Sequence, residues 1–161
     1  MTLVAKLLTP ADVVLDMQVS SKKRLFEQVG LLFENQHALA RSVVFDSLFA
    51  RERLGSTGLG QGVAIPHGRI KGLKEALGAF IRVAQPVPFD APDGNPVGLV
   101  FVLLVPEKAT EKHLQILSEL AQMFSDKALR EAMSRAPDAA ALHQLVTAWQ
   151  PDAAGQRRAA A

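Results

Sequence analysis

The sequence contains no cysteine and no tyrosine, a single tryptophan, and no apolar run long enough to cross a membrane as a helix. Without cysteine there can be no disulfide, no thiolate zinc site and no cysteine nucleophile, a composition that fits a reducing compartment. The longest apolar run, VGLVFVLLV at 97–105, falls well short of the ~20 residues a spanning helix needs. The N-terminal MTLVAKLLTPADVV meets a proline and an aspartate too early for a secretory signal. Charge of one sign is also missing, since 18 Lys and Arg stand against 16 Asp and Glu for a formal +2. No basic stripe with interleaved aromatics occurs, which argues against nucleic-acid binding. These absences point to a cytoplasmic protein without membrane insertion.

What is present suits one globular domain. The chain has 161 residues, 48% of them apolar, enough for a substantial core. LDMQVS (15–20) alternates as a first strand. Ser20 or Ser21 can cap a helix over KKRLFEQVGLLFENQ, where Leu25, Val29 and Leu32 share a face. A second helix over 40–53 repeats Val44/Leu48 and Phe45/Phe49, and Gly55 is placed to end it. VAIP at 63–66 and LGAFIRVA at 77–84 read as strands. PVPF then begins another short extended piece, and DAPDGNP (90–96) is dense in turn formers. VGLVFVLLV suits a central strand covered on both faces. A helix starting near Thr110 puts Leu114, Leu117, Ala121 and Phe124 in register, and two further helical pieces follow, over KALREAMSR and after Pro137. Interleaved helices and strands, with hairpin-like connections near 86–96, predict an α/β fold: a three-layer α/β/α sandwich on a mixed sheet. The domain is expected to span 1–149, with 150–161 a disordered tail that has nothing to bury.

The chemistry concentrates in GSTGLGQGVAIPHGRI (55–70), five glycines around His67. Familiar glycine-rich motifs fail here. Gly55 and Gly60 have P-loop spacing, but Gln61 stands where lysine is required. Val63 spoils a dinucleotide fingerprint at its last position, and there is no GxSxG elbow or HExxH helix. What remains is a histidine after a short apolar strand, in a loop rich in free amides. Neutral imidazole is a competent nucleophile, and its unperturbed pKa of about 6.5 leaves it mostly neutral near pH 7. Loop N–H groups bind anions. Phosphoryl transfer, which depends on positioning and charge stabilisation, is the leading chemistry. The cation it needs can come from Arg51, Arg53 or Arg69.

These residues carry a resemblance. RERLGSTGLGQGVAIPHGRI (51–70) resembles the signature of the enzyme IIA proteins of the bacterial phosphotransferase system, fructose/mannitol class, and most closely the stand-alone nitrogen-related branch. The likeness extends to VSSKKRLFEQVGLLF, PVPFDAPDGNPVGLVFVLLVP and KHLQILSELAQMFSD, about residues 10 to 149. It implies the family's α/β/α sandwich, and a phosphoryl group accepted on His67 from an HPr-like phosphocarrier, usually on the ring nitrogen far from the backbone. Arg51 matches the arginine beside the phosphohistidine, and His113 a second histidine that orients the active one. Ser56 and Thr57 match the signature's hydroxyl pair, placed with Gly68 at the phosphate. No metal or organic cofactor is implied. Sugar-transporting relatives pass phosphate to a cysteine on a IIB domain. With no cysteine and no length left for another domain, any acceptor here is expected to be a separate protein, or phosphorylation is itself the signal. The nitrogen branch implies the second, with regulatory targets of sensor-kinase or potassium-transporter type, linked to nitrogen and potassium balance. The alternative is a IIA component feeding a sugar permease through a separate IIB. A binding module whose loop merely holds an anion, and a phosphohydrolase, are readings from other classes.

Several residues have plainer explanations. By spacing alone His113 is a half-buried structural histidine, and His37 and His143 are surface or structural positions. Arg53 complements the helix dipole. Lys22, Lys23 and Arg24, at a helix N-terminus where cations oppose the dipole, read as a solvated face before a docking patch. Asp90 and Asp93 are explained by turn chemistry.

Overall fold

The order of capping residues and apolar periods sets out six α-helices, one 3-10 turn (Pro10–Asp12) and six strands, which the computed structural model describes over residues 1–108 and 110–151. The tail expected beyond Gln150 lies, from 152 onward, outside the described residues. The helices are α1 (Leu3–Leu7), α2 (Lys22–His37), α3 (Arg41–Glu52), α4 (Glu111–Phe124), α5 (Lys127–Arg135) and α6 (Ala139–Ala148). The strands are β1 (Val13–Met17), β2 (Gly58–Gly60), β3 (Val63–Ala64), β4 (His67–Ile70), β5 (Leu77–Val87) and β6 (Val97–Pro106). As the sequence suggests, Ser21 caps α2 by accepting from the Arg24 amide; Asp126 and Asp138, which carried no such expectation, cap α5 and α6. The N-terminal apolar stretch, which carried no helix expectation, forms α1, capped by Thr2.

The sheet runs β1-β5-β6-β3-β2, with β4 also paired to β6. The β5–β6 and β2–β3 pairs are antiparallel, whereas β1 lies parallel to β5, and β3 and β4 lie parallel to β6, so the sheet is mixed. PVPF does not begin a separate piece. Residues through Val87 continue β5, and a register shift between Arg82 and Val87 accommodates the passage over Pro86. β6 is covered on both faces. Phe101 and Leu103 pack with α1, α4, α5 and α6, while Val102 and Leu104 pack with α2 and α3. That burial explains why its sequence is an unbroken apolar run rather than an alternating one. The expected α/β/α sandwich is the observed fold.

The apolar face of α4 differs from the expectation. Its buried residues are His113, Ile116, Leu120, Met123 and Phe124, whereas Ala121 is exposed and Leu114 is 68% exposed. Ile116, Leu120 and Met123 join Phe124 in the core, where Phe124 meets Phe80 edge-on at 5.7 Å between ring centroids, and Leu114 is left outside it.

Candidate active site

β4 has a strand on one side only, because β2 covers β3 and stops. At this open edge the two helical layers meet, and a cavity of about 890 Å³ opens between α3, β4, the end of β6 and the first turns of α4. Arg51, His67, Gly68, Arg69 and His113 all line it. Its rim is apolar and open, with Leu54 83% and Leu114 68% exposed.

His67 was expected in a loop; it is the first residue of β4, in parallel register with Leu103. Its Nδ1 lies 2.8 Å from the carbonyl oxygen of Ile65. A carbonyl only accepts, so Nδ1 carries the proton and Nε2 keeps the lone pair. Burial pushes the His67 pKa below the ordinary value. The Ile65 hydrogen bond opposes that shift, Arg51 adds to it, and Glu52 works against it. The ring is thus held neutral, with Nε2 as its nucleophilic atom.

His113 is complementary. Its Nδ1 accepts from the Thr110 amide at 3.2 Å, taking the place glutamate fills in a capping box. The proton of the neutral ring is therefore on Nε2. Burial, followed by the charges of Arg69 and Lys112, lowers its pKa as well. One cavity thus holds an imidazole presenting a lone pair and another presenting an N–H. A histidine whose folded pKa is depressed binds fewer protons when folded. Its contribution to stability is intact above the unfolded value of about 6.5 and is lost as pH falls through the folded value. In an NMR titration, both rings are expected to give midpoints below about 6.5. A midpoint above that for His67 would contradict the neutral nucleophile.

Arg51 stands in the last turn of α3, and its Nη1 donates to the Gly55 carbonyl at 2.8 Å. Arg53 caps the same helix and does not line the cavity. Ser56 and Thr57 are not at the cavity either. Ser56 Oγ donates to the Phe89 carbonyl at 2.7 Å, and Thr57 Oγ1 donates to Glu52 at 2.6 Å. Both hydroxyls hold the loop against its neighbours, and the structure does not bring them to the cavity with His67.

The glycines also act differently from the expectation. Gly60, Gln61 and Gly62 have φ of 88°, 59° and 77° and turn the chain between antiparallel β2 and β3. Asp93, read as turn chemistry, holds that turn by accepting from the Gln61 amide at 2.8 Å. Of the five glycines only Gly68 lines the cavity. A Cβ there would overlap Ser47 Oγ and lie 3.1 Å from the Ser47 backbone. Gly68 thus admits α3 rather than a partner protein, which brings Arg51 to His67.

Sequence reasoning missed Glu52. Its side chain is 3% exposed and accepts from the Thr57 amide, the Thr57 hydroxyl and, at 2.9 Å, Lys22 Nζ. Lys22 is therefore not part of a solvated face, and its ammonium also lies 4.8 Å from the Phe89 ring centroid. The only hint was a cation at a helix start where cations are disfavoured. Arg24 pairs with Glu27 on the surface, as a solvated residue does. His37 bonds Asp12 at 2.8 Å and His143 the Leu8 carbonyl at 3.1 Å, both structural positions away from the cavity.

The fold and the histidine-lined edge cavity define an α/β domain of the phosphotransfer class. Residues 6–149 match the family described as "Phosphoenolpyruvate-dependent sugar phosphotransferase system, EIIA 2", and the chain belongs to it. Within that family it is similar to the nitrogen regulatory protein of Pseudomonas aeruginosa, at 44% identity over 142 residues, 88% of this chain and 92% of the relative. The crystal structure of nitrogen regulatory protein IIA-Ntr from Neisseria meningitidis superimposes with a TM-score of 0.86 at 56% identity, covering 91% of this chain and 100% of that one. Enzyme IIA mannitol of Escherichia coli, solved in complex with phosphorylated enzyme IIB mannitol, shares the fold. Its TM-score is 0.74 at 18% identity, over 88% of this chain and 98% of that one. The protein is thus a phosphotransferase-system IIA component of the nitrogen-regulatory type. Among the described residues no helix is long and apolar enough to cross a membrane.

Proposed function

We propose that the protein is a cytoplasmic phosphocarrier whose phosphorylation state is its output. The observation that carries this reading is His67, with Nδ1 tied to the Ile65 carbonyl and Nε2 free in a cavity that Arg51 also lines. Nε2 attacks the phosphorus of a phosphohistidine on an HPr-like donor. The new N–P bond forms as the donor's N–P bond breaks, the donor imidazole leaves with its electron pair, and the proton on His67 Nδ1 stays where it is. Arg51 stabilises the equatorial oxygens, after releasing the Gly55 carbonyl, and the Nε2–H of His113 donates to one of them. Gly68 sits at the phosphate as backbone. The bonds broken and made are alike, so transfer is close to thermoneutral and reversible.

The exposed apolar rim of Leu54 and Leu114 suits a transient protein contact with the donor. Regulatory targets, of sensor-kinase or potassium-transporter type and connected to nitrogen and potassium status, then read the charge change. The phosphoryl group adds about −1.5 to −2 charge at the cavity.

Incubation with phosphoenolpyruvate, enzyme I and an HPr-like carrier is expected to add one acid-labile phosphoryl group by intact mass. No adduct from competent donors would sink the reading. Arg51→Ala is expected to slow transfer by about 10²–10³-fold, the effect of removing one preorganised charge stabiliser. Stopped-flow transfer at the wild-type rate would show that Arg51 has another role.

A further inference from the structure

A second cavity, of about 570 Å³, lies on the other side of the first turn of α4 and shares Thr110 and His113 with the first. Four chain segments deliver lysines to it: Lys6 from α1, Lys74 from the turn before β5, Lys108 after β6, and Lys112 from α4. Glu75 is the one carboxylate in its lining. Elsewhere the basic side chains Lys22, Arg24 and Arg41 are each paired with a carboxylate. The four lysine ammonium groups make no ion pair or hydrogen bond among the described residues. Like charges converging on one concavity repel each other and focus a positive field into it. Beneath them the walls are apolar, formed by Leu3, Leu7, Pro106 and Ile116. His113, only 9% exposed, stands between the two cavities, and its Nε2–H has no partner among the described residues.

We infer that this second cavity is a binding site for a small phosphorylated metabolite of nucleotide size, with two or more anionic groups held by the lysines and an apolar body on the Leu3–Ile116 floor. The volume falls within the ~300–1,000 Å³ typical of small-molecule sites, and an apolar lining with a few converging polar groups is their usual make-up. Lysine ammonium groups suit phosphate as mobile point charges. The site communicates with His67 through the shared wall. Lys112 and His113 sit side by side at the start of α4 and His113 lines both cavities, so an anion on Lys112 alters the field at the ring that donates to the phosphoryl group. Binding is independent of the phosphocarrier reading; only the coupling rests on it.

The test is a ¹H–¹⁵N titration of the whole chain with ADP, pyrophosphate and adenosine, in the wild type and in Lys6→Glu/Lys74→Glu. Both lysines are exposed and outside the His67 cavity, so folding and ligand-free phosphorylation of His67 are expected to be unchanged. Saturable ADP shifts at Leu3, Ala76 and Ile116, weakened at higher salt and by about tenfold or more in the variant, are the expected result. They should persist in His67→Ala, which separates this site from the failure or success of phosphoryl transfer. Pyrophosphate should bind more weakly than ADP; equal affinity would overturn the role of the apolar floor. Adenosine binding as tightly as ADP, no saturable shift with ADP, or an undiminished response in the variant would each overturn the site.

Discussion

Replacing His67 by alanine is expected to remove all acid-labile phosphate from the protein. His67 is the ring whose geometry frees a nucleophilic nitrogen: Nδ1 is committed to Ile65, and burial, aided by Arg51, keeps the ring neutral. The other two histidines outside the cavity, His37 and His143, do not line the site a donor must enter and serve as structural links to Asp12 and to the Leu8 carbonyl. His113 lines the cavity, but its Nδ1 lone pair is taken by the Thr110 amide and its Nε2 carries the proton. Loss should therefore be complete rather than partial. Phosphate-affinity gels and intact mass after exposure to a phosphorylated HPr-like carrier measure it, with circular dichroism to verify folding. A persisting adduct in His67→Ala would place the acceptor on another residue.

The second large effect is on stability. Glu52→Ala is expected to cost about 3 kcal/mol, the low end of what breaking a buried ion pair costs. The carboxylate is 3% exposed and its loss leaves three donors without their acceptor: the Thr57 amide, the Thr57 hydroxyl and the Lys22 ammonium. The low end applies because Lys22 is 16% exposed and retains Asp90 at 3.4 Å. For a chain of this length that corresponds to roughly 6–12 °C in melting temperature. Asp90→Ala, which removes a partner 91% exposed, should cost no more than about 1 kcal/mol. Equal melting temperatures for the two variants would show that the Glu52 network does not hold the loop. The network also bears on function, because Glu52 follows Arg51 and fixes Thr57 on the far side of Gly55, the residue to which Arg51 is tethered.

Much of the fold was legible because local patterns report local preferences. Ser21 marks a helix start by the hydrogen bond that its side chain offers, and the uninterrupted 97–105 run marks a strand buried on both faces. α1 was missed because five residues give no helical period to detect. The α4 face was misjudged because Leu114, Leu117 and Ala121 fit the same spacing as the true core positions Ile116, Leu120 and Met123, and Phe124 belongs to both stripes, so only the packing of the folded chain selects between them. Arg82 shows a different blindness. It lies within the longest strand, yet its guanidinium reaches the carbonyls of Met133 and Ala136 at the end of α5, a capping role that nothing near it in sequence marks.

The sequence by itself determined the class of fold, the absence of thiol chemistry, and the selection of His67 and Arg51 as candidate site residues, because composition, period and a long contiguous motif are carried along the chain. Only the tertiary structure decided which nitrogen of His67 is free, that His113 enters the same cavity with the opposite tautomer, that Ser56 and Thr57 build the loop, and that Glu52 and Lys22 meet. Each of these depends on groups brought together by the path of the chain, whose distances and burial set the hydrogen bonds and the protonation states, and no local pattern encodes that path.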